Sequence, residues 1–175
     1  MLASPLRRLM YDPAAILAPY VRAGMTVLEP GPGMGFFTLE LARRVGPAGR
    51  VIAVDIQPRM LARLKVRASR AGLLPRLELR LAHPDSLGVA DAAGAVDFVL
   101  AFAMVHEMPS AAEFFQEAAQ AMKPDARMLL AEPAGHVQAE LFREELASAA
   151  QAGLRTSDRP AIRRSLAAVL IRDAA

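Results

Sequence analysis

The chain has 175 residues, three histidines, no cysteine and a formal net charge of +3. Its 54% apolar and 22% charged residues exclude a disordered chain, and without cysteine it has no disulfide, thiolate metal site or thiol nucleophile of its own. The small, dispersed charge does not indicate nucleic-acid binding. No apolar run approaches the ~18 residues of a membrane span, and no apolar leader follows Met1. The expectation is a cytoplasmic protein with one domain over 1–175, made of an N-terminal helical segment (1–22) and an α/β core (23–175).

Asp12-Pro13 reads as an N-cap followed by proline at the first helical position, opening a helix to about Tyr20. Thr26–Glu29 is a short strand that stops in Pro-Gly-Pro-Gly. Phe36 to Val45 has helical spacing and ends at Gly46-Pro47. Val51–Val54 is wholly apolar, as a strand buried on both faces should be. Gln57-Pro58 opens a helix to about Ala71, closed by Gly72. Leu77–Leu81 alternates with Glu78 and Arg80, the pattern of a more exposed strand.

Val96–Phe102 is a further apolar strand, and Ser110 caps a helix ending near Met122. A strand is expected over Arg127–Ala131, after Lys123-Pro124, and a helix over Val137–Ala152. Thr156–Arg159 and Ser165–Arg172 close the chain as two strands with no helix between them, which can pair only as an antiparallel hairpin. Alternation of strands and helices from 26 to 152 means a largely parallel sheet.

The strongest motif runs Glu29-Pro-Gly31-Pro32-Gly33-Met-Gly35-Phe36, between a strand and a helix. Asp55 closes the next strand, 20 residues after Gly35. A carboxylate there can accept both hydroxyls of a ribose. Dinucleotide sites usually read G-x-G-x-x-G with a pyrophosphate over the helix N-terminus. Here Phe36 replaces the third glycine of that pattern, and Glu29 would repel a pyrophosphate but suit an ammonium group. The residues favour an amino-acid nucleoside over NAD.

Glu29-x-Gly31-x-Gly33-x-Gly35, Asp55 and the order of elements resemble class I S-adenosylmethionine-dependent methyltransferases over about residues 10–172. The resemblance implies a Rossmann-like α/β fold: a seven-stranded, mostly parallel sheet in order 3-2-1-4-5-7-6, strand 7 antiparallel, with helices on both faces. It implies S-adenosylmethionine as cofactor. Gly31, Pro32 and Gly33 would line its methionine part, Glu29 its ammonium, Asp55 the ribose and Ile56 the adenine. His83 falls where the family often has an acid near the adenine amino group, with Asp85 two residues on. Ala101 and Phe102 would pass beneath the cofactor.

The loop after the fourth strand, Phe102-Ala-Met-Val-His106-Glu107-Met-Pro109, is the family's usual substrate-facing element. His106 is the candidate general base, since imidazole titrates near neutrality. Glu107 would orient it or be a solvated charge, and His136 follows the fifth strand on the ligand side. The uncharged stretch Met104, Val105 and Met108 suggests a partly apolar small-molecule acceptor. Lack of cysteine argues against C5-pyrimidine methylation through a covalent adduct and against arsenic methylation through bound thiols. The function expected is in-line methyl transfer to a small molecule, without a membrane partner and compatible with a homodimer. The alternatives are an RNA or protein methyltransferase, a non-catalytic cofactor-binding homologue, and an NAD-dependent oxidoreductase.

Overall fold

In the computed structural model, which describes residues 11–173, seven strands form one sheet in the order β3-β2-β1-β4-β5-β7-β6. The strands are β1 (Thr26–Pro30), β2 (Arg50–Asp55), β3 (Leu77–Leu81), β4 (Val96–Phe102), β5 (Met122–Pro133), β6 (Leu154–Asp158) and β7 (Ser165–Arg172). The helices are α1 (Pro13–Leu17), α2 (Thr38–Val45), α3 (Pro58–Arg70), α4 (Ala111–Ala121) and α5 (Ala139–Gln151). The expected strand order and antiparallel last strand are borne out. Residues 1–10 of the N-terminal segment lie outside the described residues. The chain clusters into two compact units, divided after Ala82.

In the first unit the Asp12 carboxylate accepts from the backbone N–H groups of Ala14 and Ala15, so the cap read from Asp-Pro forms as expected. The helix is shorter than expected, stopping at Leu17. β1 pairs parallel with β2, and β2 with β3. Val51, Ile52, Ala53 and Val54 are fully buried, as an all-apolar central strand requires. α2 begins at Thr38 rather than Phe36, because the chain is still turning at Gly35, whose φ is +82°. Phe37, immediately before α2, packs into the core at 3% exposure.

Gly49 makes the turn from α2 into β2. A Cβ there would lie 2.6 Å from Met25 O, Val45 O and Val45 Cβ. Two of these atoms are backbone and cannot step aside. Gly49→Ala should therefore cost about 2–3 kcal/mol by overpacking, a drop in melting temperature of roughly 5–10 °C for a domain of this size. Thermal unfolding followed by circular dichroism checks this; an unchanged midpoint would contradict it.

In the second unit β4 pairs parallel with β5, and β7 pairs antiparallel with both β5 and β6. The strand expected over Arg127–Ala131 begins earlier. Met122 already pairs with Val96, and the register then slips before Phe98 meets Arg127. Lys123-Pro124-Asp125 bulges out of the ladder, with Asp125 at φ +60°, because proline has no N–H to give to a neighbouring strand. Phe98, Phe114, Phe115 and Leu129 fill the core, and the Phe114 and Phe115 rings meet edge-on at 5.0 Å.

Candidate functional site

The glycine loop of the first unit is held by its own backbone and by Asp55. Gly31 N–H donates to Val54 O (2.8 Å) and Gly35 N–H to Pro32 O (2.9 Å). Gly33, at φ +55°, adopts a conformation that L side chains avoid. Its N–H donates to Asp55 Oδ2 at 3.2 Å, while Gln57 N–H donates to Asp55 Oδ1 at 2.8 Å. Asp55 thus ties the loop to the end of β2 and also serves the turn into α3. A Cβ on Gly33 would meet nothing within 4 Å, so this face of the loop is open. On the other side, a Cβ on Gly35 would lie 2.4 Å from Leu64 Cδ1, so the loop is seated on α3. The Arg67 guanidinium also donates to Met34 O.

The structure brings Gly31, Gly33 and Asp55 together as the spacing suggested. Glu29 is buried in β1, in register with Ala53, and Pro32 is buried in the loop. Ile56 is 52% exposed just beyond β2. Leu81, paired with Asp55 at the end of β3, is 57% exposed. An exposed apolar pair beside a carboxylate suits a flat purine. Leu81 was not among the expected site residues; it reads simply as the last residue of an alternating strand.

In the second unit Ala101 and Phe102 are buried. Ala103 follows at φ +56°, uncommon for a residue with a side chain, and its N–H donates to Ala131 O at 2.7 Å. This turn aims the next two N–H groups at one acceptor. Met104 N–H (3.3 Å) and Val105 N–H (2.8 Å) both donate to Glu132 Oε1. Glu132 Oε2 is bonded to His106 Nδ1. Glu132 is wholly buried, and the His106 side chain is 14% exposed. The other ring nitrogen, Nε2, lies 3.8 Å from the exposed Glu107 carboxylate. The His136 ring stands 6.3 Å from that of His106, inclined at 67°.

Because Ala103 carries the turn, Ala103→Val should cost about 1–2 kcal/mol by forcing a β-branched residue into left-handed backbone. Ala103→Gly should be tolerated. Urea melts of the two variants check the difference; equal midpoints would contradict it.

A second buried acid lies behind the first. Glu145 of α5 is 2% exposed. Neither carboxylate oxygen has a hydrogen-bond partner among the described residues. Burial, and then the charge of Glu132, raise its pKa from 4.5 to about 7. Neither acid was anticipated. Glu132 carries the signal already used for Glu29 and Asp55, a carboxylate closing an apolar strand. Glu145 sits in the buried helical spacing of Phe142 and Ala149.

One expectation changes. Met104 and Val105 are core residues, 7% and 2% exposed, not pocket walls, because their backbone is drawn inward onto Glu132. Met108 lines a small cleft with Pro84, Phe114 and Glu117. His83 and Asp85 are exposed in a turn closed by His83 N–H to Ser86 O. Glu117 fixes that turn by accepting from Ser86 Oγ and Leu87 N–H, both at 3.0 Å.

Residues 22–160 match the family model of a methyltransferase domain. The chain belongs to this methyltransferase domain family. It is 30% identical to an arsenite methyltransferase of Halobacterium salinarum, over 67% of this chain and 28% of that protein. It is 32% identical to the nocamycin O-methyltransferase of Saccharothrix syringae, over 64% of this chain and 39% of that one. It therefore spans well under half the length of these curated relatives. A crystal structure of a SAM-dependent methyltransferase from Aquifex aeolicus superposes with a TM-score of 0.86 at 23% identity, covering 97% of this chain and 94% of that one. That likeness shows the fold, the Rossmann-like sheet order expected from the glycine loop, Asp55 and the order of elements.

Proposed function

We propose that this domain is an S-adenosylmethionine-dependent methyltransferase acting on a small-molecule acceptor. The observation that carries the cofactor reading is the Asp55 carboxylate bonded to Gly33 N–H under an open loop face. Asp55 would hold the ribose hydroxyls, and Gly31, Pro32 and Gly33 the methionine portion. Glu29 would face its ammonium group, and Ile56 and Leu81 the adenine. His83, Ala101 and Phe102, all of the second unit, remain candidates for cofactor contact. When bound, S-adenosylmethionine supplies a methyl group already activated by a positively charged sulfur, so the protein chiefly orients the acceptor and excludes water.

An acceptor hydroxyl or amine must lose a proton as it is methylated. His106 would take that proton at Nε2, since Nδ1 is committed to Glu132. The O-methyltransferase among the relatives supports a small organic acceptor. The arsenite enzyme is the weaker guide, because this chain has no cysteine to present arsenic thiolates.

Thermal unfolding with S-adenosylhomocysteine, S-adenosylmethionine and NAD in separate samples tests the reading. A ligand at 100 times its Kd adds ~2.7 kcal/mol, a shift of roughly 5–10 °C here. The first two should shift the midpoint. A shift with NAD alone would overturn the proposal.

A second reading, an RNA acceptor, has one observation in its favour. α3 carries Arg59, Arg63, Lys65, Arg67 and Arg70 and no acidic residue, although the whole chain is only +3. RNA retention that falls steeply with salt would support it.

A further inference from the structure

Glu132 holds the His106 ring, and its charge acts on a second buried carboxylate, Glu145 of α5. Burying a second acid next to the first is costly, and nothing in the packing of α5 demands it: Phe142 and Ala149 occupy the same buried face with apolar side chains. The two acids are not equivalent. Glu132 receives three donors, the Met104 and Val105 N–H groups and the His106 ring. That set matches an ionised carboxylate, which only accepts. Glu145 receives none among the described residues, an environment that suits a neutral carboxylic acid.

We propose that Glu132 and Glu145 are positioning residues for His106. Glu132 takes the charge of the acid pair and holds the imidazole as its Nδ1–H tautomer, so that Nε2 is the ring's outward acceptor. Glu145 takes the proton of the pair and spares Glu132 a second negative charge at its back. The ring is then aligned and in the correct tautomer before any acceptor arrives. An imidazolium formed on proton uptake faces one buried negative charge. The assignment of Glu132 stands on its bonds to His106 and to the loop backbone, and that of Glu145 on its burial without a partner beside the charge of Glu132; only the catalytic consequence rests on the reading of His106 as base.

Other charged groups near Glu145 are engaged or exposed. On α5 itself, Glu140 pairs with Arg143, and Glu144 is exposed. α4 carries Glu113, and Glu117, which is turned to Ser86 and Leu87. β6 carries Asp158 and Arg155, and Arg155 pairs with Asp173. From β5 the group that faces Glu145 is Glu132. Beyond Glu132 stands His106, and beside His106 stands His136.

The test is nitrogen-15 NMR of the imidazole rings in the intact chain, with and without S-adenosylhomocysteine. Three histidines make assignment by single replacement direct. In the wild type above neutral pH, His106 should show a protonated Nδ1 and an unprotonated Nε2. Glu132→Gln should lose that asymmetry, giving mixed tautomers, while S-adenosylhomocysteine affinity stays within about threefold. An unchanged His106 tautomer in Glu132→Gln would overturn the role of Glu132.

For Glu145, carbon-13 carboxyl signals should show one glutamate titrating near neutrality. That signal should vanish in Glu145→Gln or Glu145→Met and move to lower pH in Glu132→Gln. A signal that ignores Glu132→Gln would overturn the pairing. If the tautomer lock holds but His106→Gln still transfers methyl groups at the wild-type rate, the reading of His106 as base fails and the positioning assignment stands.

Discussion

Replacing Asp55 with alanine is expected to weaken S-adenosylhomocysteine binding by about 10²–10³-fold, measured by titration calorimetry. Two contributions combine. On the proposed reading two ribose hydroxyls would lose a charged acceptor, each such bond being worth about 1.5–3 kcal/mol. The loop also loses its tether, because Asp55 Oδ2 holds Gly33 N–H and Oδ1 holds Gln57 N–H. A summed loss of about 3–4 kcal/mol corresponds to that fold-change at 1.4 kcal/mol per factor of ten. Asp55→Asn should fall between, since its amide oxygen can still accept one of these bonds. Circular dichroism of each variant separates lost binding from lost fold. Affinity within threefold of wild type in Asp55→Ala would remove Asp55 from the site.

Removing the buried acid at 145 is expected to stabilise the protein at alkaline pH. The Glu145 pKa is raised from 4.5 to about 7 in the folded chain. Between those values the folded state binds more protons than the unfolded one, so stability falls as pH rises. Below pH 4.5 both states are protonated and the penalty vanishes. Above about pH 7 both are ionised and the penalty is constant, at about 3 kcal/mol from a shift of this size. Glu145→Met conserves volume without the charge. Its denaturation midpoint should therefore rise relative to wild type at pH 8, with little difference at pH 4.5. Urea melts at the two pH values measure this. A constant difference across the range would mean that folding does not shift the Glu145 pKa.

Much of this could be read along the chain because the relevant forces are local. Apolar runs placed the central strands, since burial on both faces leaves a continuous apolar run such as Val51–Val54, and alternation with Glu78 and Arg80 placed the more exposed β3. Proline and glycine marked the turns, and the Asp12 cap formed as read. The structure adds a tie between Gly33 and Asp55: parallel neighbouring strands end side by side, so the loop after one meets the acid closing the next.

The errors fall where long-range contacts outweigh local preference. Lys123-Pro124 reads as a break, yet Met122 stays in the ladder because the strand can bulge around a proline. Met104 and Val105 look like an apolar pocket wall, yet their N–H groups turn inward to a carboxylate 28 and 27 residues away.

The sequence by itself determined the α/β alternation, the glycine loop, the two acids at the ends of β1 and β2, and the histidine after β4. Periodicity, turn chemistry and residue type act over a few positions, and each of these features lies within one element or its boundary. Only the tertiary structure decided which carboxylate holds His106. Glu107 is its neighbour in sequence but points 73% exposed into solvent. Glu132 reaches the ring because the parallel pairing of β4 and β5 brings the ends of the two strands together, and the positive φ of Ala103 turns the backbone donors onto it. Glu145 joins them only through the packing of α5. Such contacts arise when separate elements are brought into register, and no spacing along the chain encodes them.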